Sequence, residues 1–261
     1  VITPRGLVVT AMMDGTVNAY DPAAGKSAWS HKEPSAVRGL AAGPDESVYL
    51  STPAGLTALN GKDGKLRWRC AGARDLYAPV TLLSNGQICA ASESGQVYLL
   101  DMAGKLVNTF NWARTILNAP VAGTTPDHVW LNSSDGYIAR LSFDKTPPVE
   151  KYFGWQLKCP PISSGLFGVG SMVMHFDQPA AVTAPGEDTV VALLQNRGGE
   201  LYAGYRRSVL HLKADSLAAA MAQIKALDSS SIAQGEVVRN GLAMAAERLF
   251  VTTSKGVQLF K

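Results

Sequence analysis

The chain has 261 residues, of which 46% are hydrophobic and 17% charged; area scaling for this length lets roughly 70% of the unfolded chain's surface be buried, which excludes a disordered chain and leaves one large domain or two small ones. Lys and Arg number 24 against 21 Asp and Glu, a net charge of +3 with no run of five or six like charges, so the electrostatic footprint of a nucleic-acid or anionic-membrane binder is missing. The longest apolar stretches, such as Gly165 to Met174, reach about half of the length that spans a bilayer as a helix.

The predicted elements come in a repeating order. Leu7 to Met12 is an apolar run suited to a pleated surface. Gly15 follows and supplies the positive φ of a tight hairpin, so Thr16 to Tyr20 returns as the next strand. Asp21 then opens a turn that closes at Gly25, because a short carboxylate or amide bonds backbone N–H groups two residues on. Lys26 to Trp29 begins an outer strand. The same order returns as Ser47 to Ser51, Gly55, Leu56 to Leu59, Asn60 to Gly64 and Lys65 to Trp68. It returns again as Gln87 to Ala91, Gly95, Gln96 to Leu100 and Asp101 to Gly104, and more weakly as His128 to Leu131, Gly136 and Tyr137 to Leu141. Ala78-Pro79-Val80 and Ala119-Pro120-Val121, 41 residues apart, read as inner strands, where Pro is tolerated at the first residue. The turn glycines 15, 55, 95 and 136 stand 40, 40 and 41 apart. A period near 40 with four short strands per unit is the spacing of propeller blades.

From 144 to 239 the period is damaged. Pro160-Pro161-Ile162 reads as an inner strand with Gly170 to Phe176 as its partner. Two readings follow. Either Gln178 to Gly199 is an insertion in one long blade that ends with Glu200 to Arg206 and Ser208 to Lys213, or Pro179 to Val182, Thr189 to Leu194 and Leu201 to Tyr205 form a blade of their own. The first gives six blades, the second seven. Ala214 to Leu227 has Asp215 and Ser216 as caps and Leu217, Met221, Ile224 and Leu227 on one face, which is a helical pattern, the alternative being an outer strand imposed by tertiary pairing. Asn240 to Phe260 reads as a terminal unit whose turn glycine, Gly256, lies 120 residues after Gly136, three periods of 40. It supplies three strands, so a fourth would come from elsewhere, and an unpaired edge would invite association. The chain opens on Val1 with no initiator Met and no charged-then-apolar leader, as expected of a processed mature form or an excised piece.

The repeated residues resemble the quinoprotein-like β-propeller repeat, xLYALDxxTGKxxW, found in pyrroloquinoline-quinone-dependent dehydrogenases and in their non-catalytic relatives, outer-membrane assembly lipoproteins among them. The match is close over residues 1–110 and looser over 111–158. The resemblance implies an all-β fold, a single propeller domain over 1–261 made of four-stranded antiparallel blades. Regular blades would cover 1–158, an irregular blade or insertion 159–239 and a terminal blade 240–261. Gly15, Gly55, Gly95, Gly136 and Gly256 are its structural glycines, and Trp29 and Trp68 the rings expected between neighbouring blades, each burying roughly 150 Å² or more. It also implies a periplasmic or extracellular location.

A quinone- and Ca²⁺-dependent dehydrogenase would be about twice as long, and many such enzymes carry adjacent cysteines; Cys70, Cys89 and Cys159 are scattered, and no oxygen-ligand set matches a Ca²⁺ motif. Cys70 and Cys89 read either as a disulfide of an oxidising compartment or, with Cys159, as small buried hydrophobes. His31, His128, His175 and His211 are each isolated in sequence and point to no metal. Gly165 to Gly170 opens no helix and is read as strand and turn rather than a phosphate cradle. The sequence therefore predicts no catalytic, cofactor or metal residues and a binding role instead. The candidate partner-binding residues are Trp112, Arg114, Trp155, Tyr202, Tyr205, Arg206 and Arg207, aromatic and arginine side chains in connections and in the irregular segment, the residue types that dominate interface energetics. A protein partner is expected, nucleic acid is not, and a sugar ligand would need Trp112, Trp130, Trp155 and Tyr202 exposed on one face.

Overall fold

The computed structural model describes residues 1–260 apart from 124, 126–127, 145–148, 155–165, 170–171, 176–177, 184–188, 196–199, 206–207, 213–225, 232–237 and 246–247. Every regular element among the described residues is a β-strand. The strands make seven antiparallel sheets in chain order, each a simple meander. The first sheet is β1 (Val8–Ala11), β2 (Thr16–Asp21) and β3 (Lys26–Lys32). The second is β4 (Gly39–Ala42), β5 (Ser47–Thr52), β6 (Gly55–Asn60) and β7 (Leu66–Cys70). β8 (Thr81–Leu82), β9 (Ile88–Ala91), β10 (Gln96–Leu100) and β11 (Leu106–Asn111) form the third. The fourth holds β12 (Val121–Ala122), β13 (His128–Asn132), β14 (Tyr137–Ser142) and β15 (Val149–Gly154). The last three are β16 (Leu166–Val169), β17 (Met172–His175) and β18 (Gln178–Thr183); β19 (Val190–Gln195), β20 (Leu201–Tyr205), β21 (Ser208–Leu212) and β22 (Ala226–Ser231); and β23 (Val238–Ala245), β24 (Arg248–Thr253) and β25 (Gly256–Phe260).

Two compact units contain these sheets, one of Val1–Asp135 with Ala139–Lys151 and one of Gly136–Ile138 with Tyr152–Lys261. In the first unit each sheet packs face to face on the next. Val9, Val17 and Ala19 of the first sheet meet Val48, Leu50 and Leu59 of the second. Tyr49, Leu56 and Ala58 on the other face of the second sheet meet Ile88, Ala90 and Leu100 of the third. Cys89, Val97 and Leu99 of the third then meet Val129, Leu131 and Leu141 of the fourth. A sheet covered on both faces has no solvent side, which is why β5 reads as six consecutive buried residues instead of an alternation. The last strands of the first three sheets are the exposed ones: in β3 only Trp29 is buried. In the second unit Val209, Leu249 and Val251 form a smaller core.

The turn chemistry read from the sequence is present. Asp21 Oδ1 accepts from the N–H groups of Ala23 and Ala24 at 2.9 and 3.1 Å, Asn60 Oδ1 from Lys62 at 3.0 Å and Asp101 Oδ1 from Ala103 at 3.0 Å. Gly15, Gly55, Gly95, Gly136 and Gly256 all have positive φ.

The damaged region departs from both readings of it. Seven sheets are formed, but Gln178–Thr183 closes the fifth sheet as its third strand and does not open the sixth, which runs from Val190 to Ser231. The partner of β17 is β16, Leu166–Val169, where the sequence pointed to Pro160-Pro161-Ile162; that segment lies outside the described residues. The same holds for the predicted helix up to residue 225, while its last two residues, Ala226 and Leu227, belong to strand β22. Pairing across the sheet, Leu212↔Ala226, decides the conformation there, a tertiary override of helical propensity.

Candidate functional site

Exposed aromatic, aliphatic and arginine side chains lie on the connections that leave the last strand of one sheet of the first unit and enter the first strand of the next. Antiparallel meanders bring these connectors to the same edge as the hairpins between second and third strands, and backbone hydrogen bonds tie the two together. Glu33 N–H donates to Gly15 O at 2.8 Å and Trp112 N–H to Gly95 O at 2.9 Å. The next connector is held by Asp75 N–H to Pro53 O and Glu93 N–H to Asp75 O, both 3.0 Å. A Cβ on Gly15 would stand 2.2 Å from Glu33 O and one on Gly95 2.6 Å from Arg114 O, so these turns need glycine for the close approach as well as for φ.

Each connector between sheets of the first unit buries a large aliphatic side chain, Val37, Leu76 or Ile116, at 5%, 0% and 1% exposure. The residue that follows points outward: Arg38, Tyr77 and Leu117 are exposed. The Arg38 guanidinium lies 5.3 Å from the Tyr77 ring centroid and 3.6 Å from Glu93 Oε2, a cation–π contact and a surface ion pair. Arg114 pairs with Asp135 in the hairpin of the fourth sheet. Trp112 is half-buried and packs on the core between the third and fourth sheets. Asp75 and Ala113, both on connectors, have φ of 55° and 57°, a left-handed conformation costly for residues with a Cβ.

A cavity of about 300 Å³ opens beside the first connector, lined by Glu33, Ser35, Thr52, Thr57, Arg69 and Cys70 among others. Glu33 is 4% exposed and both of its oxygens are engaged. Oε1 accepts from Thr57 Oγ1 at 3.2 Å and Arg69 Nε at 3.3 Å, and Oε2 lies 3.0 Å from Arg69 Nη2 and 3.2 Å from His31 Nε2. A carboxylate so occupied ties the first sheet to the second and is a poor general base, since a base must reach its substrate's proton. The sequence pattern His31-x-Glu33 carried this pairing, because residues two apart on a strand share a face; reading the four histidines as isolated missed it. The described side chains bring no three of His, Cys, Asp and Glu together as a metal-ligating group.

Of the residues singled out in the sequence, Trp112 and Arg114 share one connector. Tyr202 belongs to β20 in the second unit, where its ring stacks on His211 at 4.5 Å and its hydroxyl donates to Glu200 at 3.4 Å; burial first, then the Glu200 charge, pushes the phenol up. Tyr205 is fully buried, 0% exposed, and its side chain is unavailable to a partner. Trp155, Arg206 and Arg207 lie outside the described residues. Arg38, Tyr77 and Leu117 were not singled out in the sequence; they line up once the connectors are aligned on the buried Val37, Leu76 and Ile116. Trp130 is 5% exposed, which removes it from the aromatic face that a sugar ligand would need. Cys70 and Cys89 are free thiols, so the disulfide reading is corrected; Cys159 is outside the described residues. Burial pushes the Cys89 thiol up to about 12. No described helix is long and apolar enough to cross a membrane.

Comparison with known proteins places these features. The family model described as outer membrane protein assembly factor BamB matches residues 3–145. Among solved structures, that of BamB from Moraxella catarrhalis is similar with a TM-score of 0.55 and 16% sequence identity, covering 96% of this chain and 89% of that one. No curated protein matches the chain. The structural likeness establishes the fold class expected from the sequence, an all-β propeller of three- and four-stranded antiparallel sheets.

Proposed function

The chain belongs to the family of the outer membrane protein assembly factor BamB, and from that premise we propose that it is a non-enzymatic scaffold whose connector edge in the first unit docks a protein partner, within a periplasmic or extracellular assembly. The observation that carries this reading is the repeated placement of Arg38, Tyr77 and Leu117. Each is exposed directly after a fully buried aliphatic residue, on a connector pinned by backbone hydrogen bonds. A rigid backbone presenting aromatic, arginine and apolar side chains loses little conformational entropy on binding, and Tyr and Arg are the residue types most enriched among interface hot spots. Left-handed Asp75 and Ala113 support it, since backbone conformations of this cost gather where a chain is shaped for function. Trp112 and Arg114 extend the surface along the third connector.

The test replaces Arg38, Tyr77 and Leu117 together by Ala. All three are exposed, so far-UV circular dichroism and the unfolding midpoint stay near wild type, while a partner co-purified from the source organism with the wild-type chain is lost. Retention of the partner by the triple variant would overturn the assignment of the docking edge.

A further inference from the structure

We propose that the cavity between the first and second sheets is the anchor pocket of the connector edge and takes a single aromatic side chain of the partner protein; this rests on the docking edge proposed above. The cavity holds about 300 Å³ and lies where three pieces of the first unit meet: the start of the first connector at Glu33 and Ser35, the β5–β6 hairpin at Gly55, and the end of β7 at Arg69 and Cys70. The first connector goes on to present Arg38, and the connector that leaves β7 presents Tyr77. Small-molecule pockets run from roughly 300 to 1,000 Å³, so this one has the size for one large side chain.

The buried hydroxyls of its wall are already engaged. Thr52 Oγ1 donates to Gly55 O at 2.8 Å and accepts from the Gly55 N–H at 3.1 Å, and Thr57 Oγ1 donates to Glu33 Oε1 at 3.2 Å. Ala54, Leu56 and Ala71 supply apolar wall. An apolar guest therefore gains burial without stranding a polar group. Arg69 selects a ring among apolar guests. Its Nε and Nη2 lie 3.3 and 3.0 Å from the two Glu33 oxygens, so the carboxylate consumes the edge of the guanidinium, while the side chain stays 43% exposed. A guanidinium held in this way offers its flat face for stacking on an aromatic ring. The chain's own repeat points to the same guest. Glu33 and Trp112 hold equivalent places, each one residue past the last strand of its sheet. Each donates its N–H to the hairpin glycine, Gly15 or Gly95, at 2.8 and 2.9 Å. The third connector packs the Trp112 indole against the core between the third and fourth sheets, whereas the first has a carboxylate and an open cavity. A partner's ring inserted there completes the junction from outside.

The experiment follows the binding of N-acetyl-tryptophanamide to the full chain by amide-resolved NMR. Saturable shifts at Ser35, Gly55, Thr57 and Ala71 are expected at millimolar concentration, and N-acetyl-leucinamide binds at least fivefold more weakly, for want of a ring to stack. Benzylating the Cys70 thiol with a methanethiosulfonate reagent fills the cavity with a ring and lowers the affinity for the tryptophan amide at least tenfold. A Cys159→Ser chain is used, so that Cys70 alone reacts, Cys89 being fully buried. Cys70→Trp fills the same space by substitution, and the benzylated chain decides the matter where that variant perturbs folding. Arg38→Ala combined with Tyr77→Ala leaves tryptophan-amide binding unchanged, which separates the pocket from the edge. Absence of saturable binding, or binding that survives benzylation, would overturn the proposal. Retention of the co-purified partner by the benzylated chain, where the variant of Arg38, Tyr77 and Leu117 loses it, would overturn the pocket and leave the docking edge standing.

Discussion

At the scale of single residues, much of what holds the molecule follows from what each side chain cannot do. Cys89 sits between the third and fourth sheets at 0% exposure, where a thiolate would have to leave water without a counter-charge, so the thiol keeps its proton up to about pH 12 against an ordinary 9.0. The sign of the consequence is fixed by linkage: below pH 9 both folded and unfolded chains hold the proton and the contribution is fully present. Between 9 and 12 only the unfolded chain loses the proton, and stability falls by up to about 1.4 kcal/mol per pH unit. Urea midpoints measured from pH 8 to 11 should therefore decline more steeply for wild type than for Cys89→Ala; equal slopes would contradict the buried placement. The cysteine count alone left both a disulfide and buried thiols open, and only the packing of β9 separates them.

At the scale of elements, a tryptophan on the last strand locks each of the first two sheets to its successor. Trp29 donates its indole N–H to Gly61 O at 2.7 Å and Trp68 to Met102 O at 3.0 Å. Each ring lies against the next sheet's turn glycine, so that a Cβ on Gly64 or Gly104 would stand 2.6 or 2.5 Å from it. A bulge after Ala19 and after Ala58, the residues paired with the two tryptophans, shifts the strand register beside the ring. The third sheet has the same bulge after Leu99 but Asn108 opposite it, and Asn108 is exposed. Two glycines with nearly equal φ isolate the ring contact: Gly86 at +81° has open space and Gly104 at +82° has Trp68. Thermal unfolding should show Gly86→Ala costing about 1 kcal/mol for the left-handed backbone, and Gly104→Ala roughly 1–3 kcal/mol more from overpacking. Equal losses would mean that the ring does not lock the turn. The sequence showed both tryptophans and both turns because each is specified locally, by Gly, Asp or Asn at fixed offsets. At Ala226 and Leu227 the strand alternative prevails over the helical one, because pairing with β21 overrules an alanine-rich helical pattern, and the sequence failed at Gln178–Thr183, where no turn signal says to which sheet a strand belongs.

At the scale of the whole molecule, antiparallel meanders recur along the described residues, and in the first unit the connectors between sheets carry Arg38, Tyr77, Leu117, Trp112 and Arg114. The repeat period made the architecture legible, because forty residues per four strands leaves little else to build. Of the proposed docking edge, Trp112 and Arg114 stand out in the sequence by residue type, whereas Arg38, Tyr77 and Leu117 become a set once burial shows which connector residue turns inward. Tyr205 was misjudged for the same reason, since residue type does not tell which side of a sheet a side chain takes. The most direct measurement introduces a photo-reactive amino acid at Tyr77 or Leu117 and, separately, at Ala24 or Ala103 in the turns of the opposite edge, followed by cross-linking in the source cells. The expected result is one discrete cross-linked protein from Tyr77 and Leu117 and none from Ala24 and Ala103. Cross-links from the turn positions alone, or none from the connectors, would contradict a scaffold that docks through its connector edge.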